Sequence, residues 1–182
     1  GLWLAMDYVP GQTLAERLKT SGPLSSPAAG ELLLSLCSGL ASAHAAGVLH
    51  RDLKPSNVVL SEHDGRPLVL DFGLALPLDL SQHLTRTGEV LGSPGYLAPE
   101  QCGSKGGTSA ATDVYGLGAV LYAALTGRPP FQGSSLLGTL DAVLNAAPRD
   151  PLEWVPSIDP SLAAVCLRCL AKDPSERYQS AR

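Results

Sequence analysis

HRDLKPSNVVL, residues 50–60, sets an acid at Asp52, a cation at Lys54 and an amide at Asn57 along one loop, then runs into a short apolar stretch of β type. A second such run follows, and Asp64-Gly65 between them is a turn dipeptide. Val58 to Leu60 and Leu68 to Leu70 therefore read as the two strands of a hairpin. Asn57 lies just before the first strand and Asp71 just after the second. Antiparallel partners sit about 4.8 Å apart, so positions 57 and 71 are expected side by side at one end of the ribbon. An amide oxygen and a carboxylate held there can share a hard divalent cation such as Mg2+, which takes oxygen ligands and few from protein. With Asp52 and Lys54 on the preceding loop, the stretch describes a metal–phosphate site with a base nearby.

Working outward, Leu2 to Met6 reads as a short apolar strand that Pro10-Gly11 breaks, and Thr13 to Lys19 as a short helix. Ser26-Pro27 supplies a cap and a proline for the next helix. There Leu33, Leu36, Cys37, Leu40, Ala41 and His44 recur at helical spacing, with Gly47 as the C-terminal cap. Residues 71–97 show no sustained period, and a long irregular stretch inside a compact domain tends to be functional. Thr112 caps a helix from Asp113 to about Thr126 that is apolar almost all round, hence buried and central. Further helices are expected at 134–146 and 160–171. The order is a little β, then mostly α.

The 182 residues are 45% hydrophobic and 16% charged, enough to bury one core and too apolar for disorder. A net charge of −4 argues against nucleic acid or an anionic membrane as the main partner. Residues 114–127 are too short to span a bilayer, and 32–50 carry Ser35, Ser38, Ser42 and His44. Nothing resembles a signal peptide. Of the four cysteines only Cys166 and Cys169 form a C-x-x-C, with no second pair or nearby histidine to complete a zinc set. On a helix that spacing puts two small apolar side chains on one face, and core packing is the expectation. Free thiols suit a reducing compartment, so the cytoplasm is expected.

Three motifs in order make a family resemblance specific. HRDLKPSN (50–57), DFG (71–73) and APE (98–100) match the catalytic-loop, metal and activation-segment signatures of protein kinases. The chain resembles the bacterial branch of the Ser/Thr kinases over essentially all 182 residues. The fold implied is α+β and protein-kinase-like, a mainly helical C-lobe with a short hairpin carrying the site. Residues 1–11 would be the last N-lobe strand and the hinge, and 12–182 the C-lobe. The Gly-rich loop, the V-A-I-K-type lysine and the helix glutamate of the N-lobe have no counterpart in the sequence, so residues 1–182 alone are expected to phosphorylate poorly.

The resemblance also implies roles. Asp52 would accept the substrate hydroxyl proton, and Lys54 would neutralise charge on the γ-phosphoryl group of ATP. Asn57 and Asp71 would hold Mg2+. Met6 would be the gatekeeper, and the Asp7 carbonyl and Val9 amide would bind adenine above Val59 and Leu14. His50 and Phe72 would pack in a hydrophobic spine, and Asp113 would anchor the catalytic loop. Glu100 and Arg177 would form an ion pair. Ser93, in GSPGYLAPE (92–100), stands where the family usually has threonine and keeps the hydroxyl that bridges Asp52 and Lys54. Arg51 marks the subtype controlled by phosphorylation, with Thr87 the main site and Thr85 the second. Protein substrates with Ser or Thr are implied, no membrane contact within this chain, and a tether beyond it as found in related bacterial kinases.

Taken singly, Asp52 reads sooner as a cap or loop acid and Lys54 as a solvated charge, and Asn57 and Asp71 could be turn residues; the full motif set reverses that preference. His44, His63 and His83 read as helix-end, turn and loop residues. Two rival functions stay open at this level. One is a pseudokinase acting as a binding scaffold, which the upstream sequence would decide. The other is a small-molecule phosphotransferase of kinase-like fold, which would lack the APE-type docking segment.

Overall fold

The computed structural model describes residues 7–72, 94–102 and 107–181. A three-stranded antiparallel sheet sits at one edge of a helical body, with strands β1 (Gly11–Thr13), β2 (Val58–Ser61) and β3 (Pro67–Val69) in that spatial order. The β2–β3 hairpin turns at Asp64-Gly65 as expected, with Gly65 at φ 71°. Val58 faces Val69, and the Leu70 amide donates to the Asn57 carbonyl at 2.9 Å. Asn57 thus lies opposite Leu70, and Asp71 follows one residue beyond the pairing expected for it. Strand β1 has no apolar period and was not anticipated. It exists because Gly11 approaches β2 so closely that a Cβ would stand 2.2 Å from the Leu60 carbonyl oxygen.

Helix α1 (Leu14–Ser21) begins with a reciprocal capping box, Thr13 accepting from the Glu16 amide while the Glu16 carboxylate accepts from the Thr13 amide. Helix α2 (Ser26–Ala45) starts one residue earlier than expected: Ser25, not Ser26, stands at its N-cap, its side chain makes no capping bond, and Pro27 lies in the first turn. It buries Ala29, Leu32, Leu36 and Leu40. Leu33, Cys37 and Ala41 of the expected stripe are half-buried at its flank, so the stripe is rotated slightly from the sequence reading.

Helix α3 (Ala110–Thr126) is the axis of the molecule, and every residue from Ala111 to Thr126 is buried. Ser109 caps it, and Thr112, expected as the cap, instead closes the capping box by accepting from the Ser109 amide at 3.0 Å. Gly127 ends it in the left-handed conformation at φ 72°. Helix α2 packs along one side, where Leu32 and Leu36 meet Leu117, Val120 and Leu121. Helices α4 (Leu136–Asn145), α5 (Pro151–Trp154) and α6 (Pro160–Cys169) complete the body. Helix α5 is too short to show a period, which is why the sequence did not announce it.

The C-x-x-C cysteines are core residues. The Cys166 thiol donates to the Gly118 carbonyl at 3.4 Å, and burial pushes Cys169 up to about 12. Among the described residues all four cysteines are free, and no helix is long and apolar enough to cross a membrane. The α3–α6 crossing depends on Gly118, because a Cβ there would lie 2.5 Å from Cys169 Cβ.

Two glycine-to-alanine substitutions should therefore move stability in opposite directions. Gly39→Ala, in open space on α2, should stabilise by about 0.5–1 kcal/mol, the helical cost of glycine. Gly118→Ala should destabilise by about 1–3 kcal/mol through overpacking. Urea denaturation of both variants checks the pair of signs.

Candidate functional site

Residues 50–57 are held from below by α3. The Asp113 carboxylate, 1% exposed, accepts the His50 amide at 2.9 Å, the Arg51 amide at 2.7 Å and His44 Nε2 at 2.7 Å. His44 was expected only to end a helix. It lies in the last turn of α2, but its ring is paired with Asp113, a contact invisible without the fold because the partners are 69 positions apart. His50 is fully buried with both ring nitrogens engaged. Nε2 donates to the Leu70 carbonyl at 2.7 Å, and Nδ1 accepts the Asp52 amide at 3.2 Å. Its ring meets Phe72 edge-on at 4.9 Å between centroids. A histidine so occupied packs and orients, and it has no free nitrogen with which to act as a base.

Asp52 emerges from this support half-buried. Its Oδ2 accepts Lys54 Nζ at 2.6 Å and Asn57 Nδ2 at 3.2 Å, and the same Asn57 nitrogen donates to the Asp52 carbonyl at 2.8 Å. The 3-10 turn Pro55–Asn57 makes this possible, folding the chain back so that Asn57 reaches the acid five residues earlier. Asn57 is buried, and with its amide nitrogen spent on Asp52 its side-chain oxygen remains as a ligand atom. The structure brings Asp52, Lys54 and Asn57 into one cluster. Asp71 is exposed, just past β3, at φ 62°. An L-residue in the left-handed region costs on the order of 1–3 kcal/mol and is found where surrounding contacts impose it.

Arg51 is the second such residue, at φ 68°, and its Nε is buried with no hydrogen-bond partner among the described residues. Its carbonyl accepts Gln101 Nε2 at 2.5 Å. Gln101 was not singled out in the sequence, and its position beside Pro99-Glu100 carries no signal of this contact. Val59 is buried in the central strand opposite Thr13 and Leu68, and Leu14 is fully buried. Asp7 is exposed and Val9 half-buried, and Pro10 ties this stretch to the hairpin by accepting the Glu62 amide at 2.9 Å. Met6, Thr85, Thr87 and Ser93 lie outside the described residues.

Below the site, Glu100 and Arg177 make a bidentate pair at 2.7 and 2.8 Å. Arg177 is 1% exposed and also donates to the carbonyls of Ala171, Ala111 and Lys172. Thr112 donates to Glu100 at 2.9 Å. Burial alone would raise the Glu100 carboxyl, but its bonds to Arg177 and Thr112 outweigh that and hold it below the usual value.

A protein kinase domain model matches residues 1–182. Serine/threonine-protein kinase PkaA of Streptomyces coelicolor is 47% identical over 178 residues, covering 97% of this chain and 32% of its own length. PknB of Mycolicibacterium smegmatis is 40% identical over 181 residues (98% and 28%), and PrkC of Bacillus subtilis 39% over 180 (98% and 27%). The chain spans about a third or less of the length of these relatives. A crystal structure of Rad53 1-466 in complex with AMP-PNP superposes with a TM-score of 0.79 at 25% identity, over 97% of this chain and 43% of that one.

Glu100→Ala would leave the Arg177 guanidinium buried and unpaired, and should cost about 3–5 kcal/mol in chemical denaturation. The lowered carboxyl gives a sign in pH as well. The stability it contributes is fully present above the unfolded carboxyl value of 4.5 and is lost as pH falls through the lower folded value. The gap in stability between wild type and Glu100→Gln should therefore narrow on acidification below pH 4.5.

Proposed function

The chain belongs to the protein kinase domain family, and from that membership we propose that it carries the catalytic half of a Ser/Thr protein kinase, transferring the γ-phosphoryl group of ATP to Ser or Thr hydroxyls of protein substrates. The observation that carries the reading is the cluster of Asp52, Lys54 and Asn57. Lys54 and Asn57 both bind Oδ2 of Asp52, which leaves the other carboxylate oxygen to accept a substrate hydroxyl proton. That division fixes the orientation of the base.

Asn57 and Asp71 are the residues that would hold Mg2+. The donor set fits: a buried amide oxygen and an exposed carboxylate are hard ligands, few in number, on adjoining ends of one hairpin. The ion would screen the phosphate charges. Asp7 and Val9 would offer a carbonyl and an amide to adenine, with Val59 and Leu14 as the apolar floor. The division expected from sequence fits this scheme, with residues 1–11 as strand and hinge and 12–182 as the larger lobe. Ser93 would bridge Asp52 and Lys54. Thr87, with Thr85 second, would be phosphorylated, and Arg51 Nε, without a partner among the described residues, is a donor suited to such a phosphate, which adds about −1.5 to −2 charge. A cytoplasmic site of action accords with the use of ATP and with four free thiols.

In the full-length natural protein, Asp52→Asn should lower kcat about 10²–10⁴-fold, the range of a lost general base, with ATP binding retained. Phosphate transfer to a generic basic protein measures the first and nucleotide titration the second. Wild-type-like turnover by the variant would sink the assignment.

A further inference from the structure

Arg51 and Asp52 share a peptide plane, and every hydrogen-bonding group around it is taken. On the Arg51 side, the left-handed residue (φ 68°) has its own amide fixed by Asp113 Oδ1 at 2.7 Å. Within the plane, the Asp52 amide donates to His50 Nδ1 at 3.2 Å, and the Arg51 carbonyl on the opposite edge accepts Gln101 Nε2 at 2.5 Å. Rotation of that plane changes ψ of Arg51 and φ of Asp52 together, and so swings the Asp52 carboxylate. His50 alone leaves one edge free to turn. Gln101 closes the other.

The orientation of the Gln101 amide is set independently. Its Oε1 accepts the Ala98 amide at 3.0 Å, so the NH2 group must be the end that faces Arg51. Its backbone is anchored too, because the preceding residue, Glu100, is bound by Arg177 and Thr112. The donor therefore projects from a fixed base across 50 positions of sequence to the catalytic loop.

We propose that Gln101 is a positioning residue for Asp52, holding the Arg51–Asp52 peptide plane in its strained setting and tying the 98–102 segment to the base. This rests on the kinase reading for the role of Asp52, but the clamp itself is a matter of backbone order and is testable apart from it. The bland alternative is that Gln101 only caps the short turn Pro99–Gln101 through its bond to Ala98.

Gln101→Glu separates the two. A glutamate keeps the acceptor for the Ala98 amide, loses the donor to Arg51 when ionised, and regains one when protonated. In the full-length natural protein at pH 8, Gln101→Glu should lower kcat by about 10-fold or more, since small misplacements of a catalytic group are costly, with KM for ATP within about twofold of wild type. A glutamate carboxyl protonates only at about pH 4.3, so the return of the donor is read by hydrogen exchange at about pH 4, beside wild type at the same pH, and Gln101→Leu should show no such return. Hydrogen exchange of a peptide covering residues 50–54 provides a readout without turnover. Protection relative to wild type should fall in Gln101→Glu at pH 8 and return on acidification, while α3 is unchanged. Wild-type kcat and protection in Gln101→Glu at pH 8, or a loss of protection that does not return by about pH 4, would overturn the clamp. If the wild-type protein transfers no phosphate, the kinase reading fails and the exchange result alone decides the clamp.

Discussion

A carboxylate buried at 1% exposure must find donors, because removing a charge from water without them costs several kcal/mol. Asp113 finds three, two of them the backbone amides of His50 and Arg51. This arrangement couples two otherwise separate requirements. The core helix α3 needs its one buried acid satisfied, and the 50–57 loop needs its backbone held where no regular ladder reaches. Each supplies the other. The left-handed Arg51 follows from it, since its amide must point down at Asp113 while its side chain and carbonyl leave in other directions.

The same logic runs outward from α3. Its N-terminal turn meets Glu100 through Thr112 and meets Arg177 through the Ala111 carbonyl, so the segment after Pro94 is fastened to the axis that also holds the loop. At its middle, Gly116 comes against Leu53, where a Cβ would stand 2.8 Å from the leucine Cβ, and Gly118 comes against Cys169. The absence of side chains at two positions thus lets the 50–57 loop and α6 close on the helix from either side. An almost wholly apolar helix accordingly does more than fill the core: it is the common reference from which the 50–57 loop, the 94–102 segment and the C-terminal turn are measured.

Much of this was legible early. Three short motifs in order, with a hairpin between the first two, were enough to place Asp52, Lys54 and Asn57 at one site, because their spacing along the chain is local and the turn at Pro55–Asn57 is short. The buried character of α3 was equally plain from a run of apolar residues too long for a strand. Less was visible in β1, whose three residues carry no pattern and exist only through the close approach of Gly11 to Leu60. The exact pairing of Asn57 with Leu70 instead of Asp71 also escaped, since register is set by backbone bonds that the turn dipeptide alone does not specify.

By itself, the order of residues determined that Asp52, Lys54 and Asn57 fall together and which helix is buried, because those features rest on local spacing and on hydrophobic content, while the Glu100–Arg177 pair, 77 positions apart, followed from the family resemblance alone. Only the tertiary structure decided how the loop is braced. The pairing of His44 with Asp113, the left-handed setting of Arg51 and the reach of Gln101 to its carbonyl join positions 50 to 69 residues apart. Contacts of that kind depend on how whole elements dock, and no residue type announces them in advance.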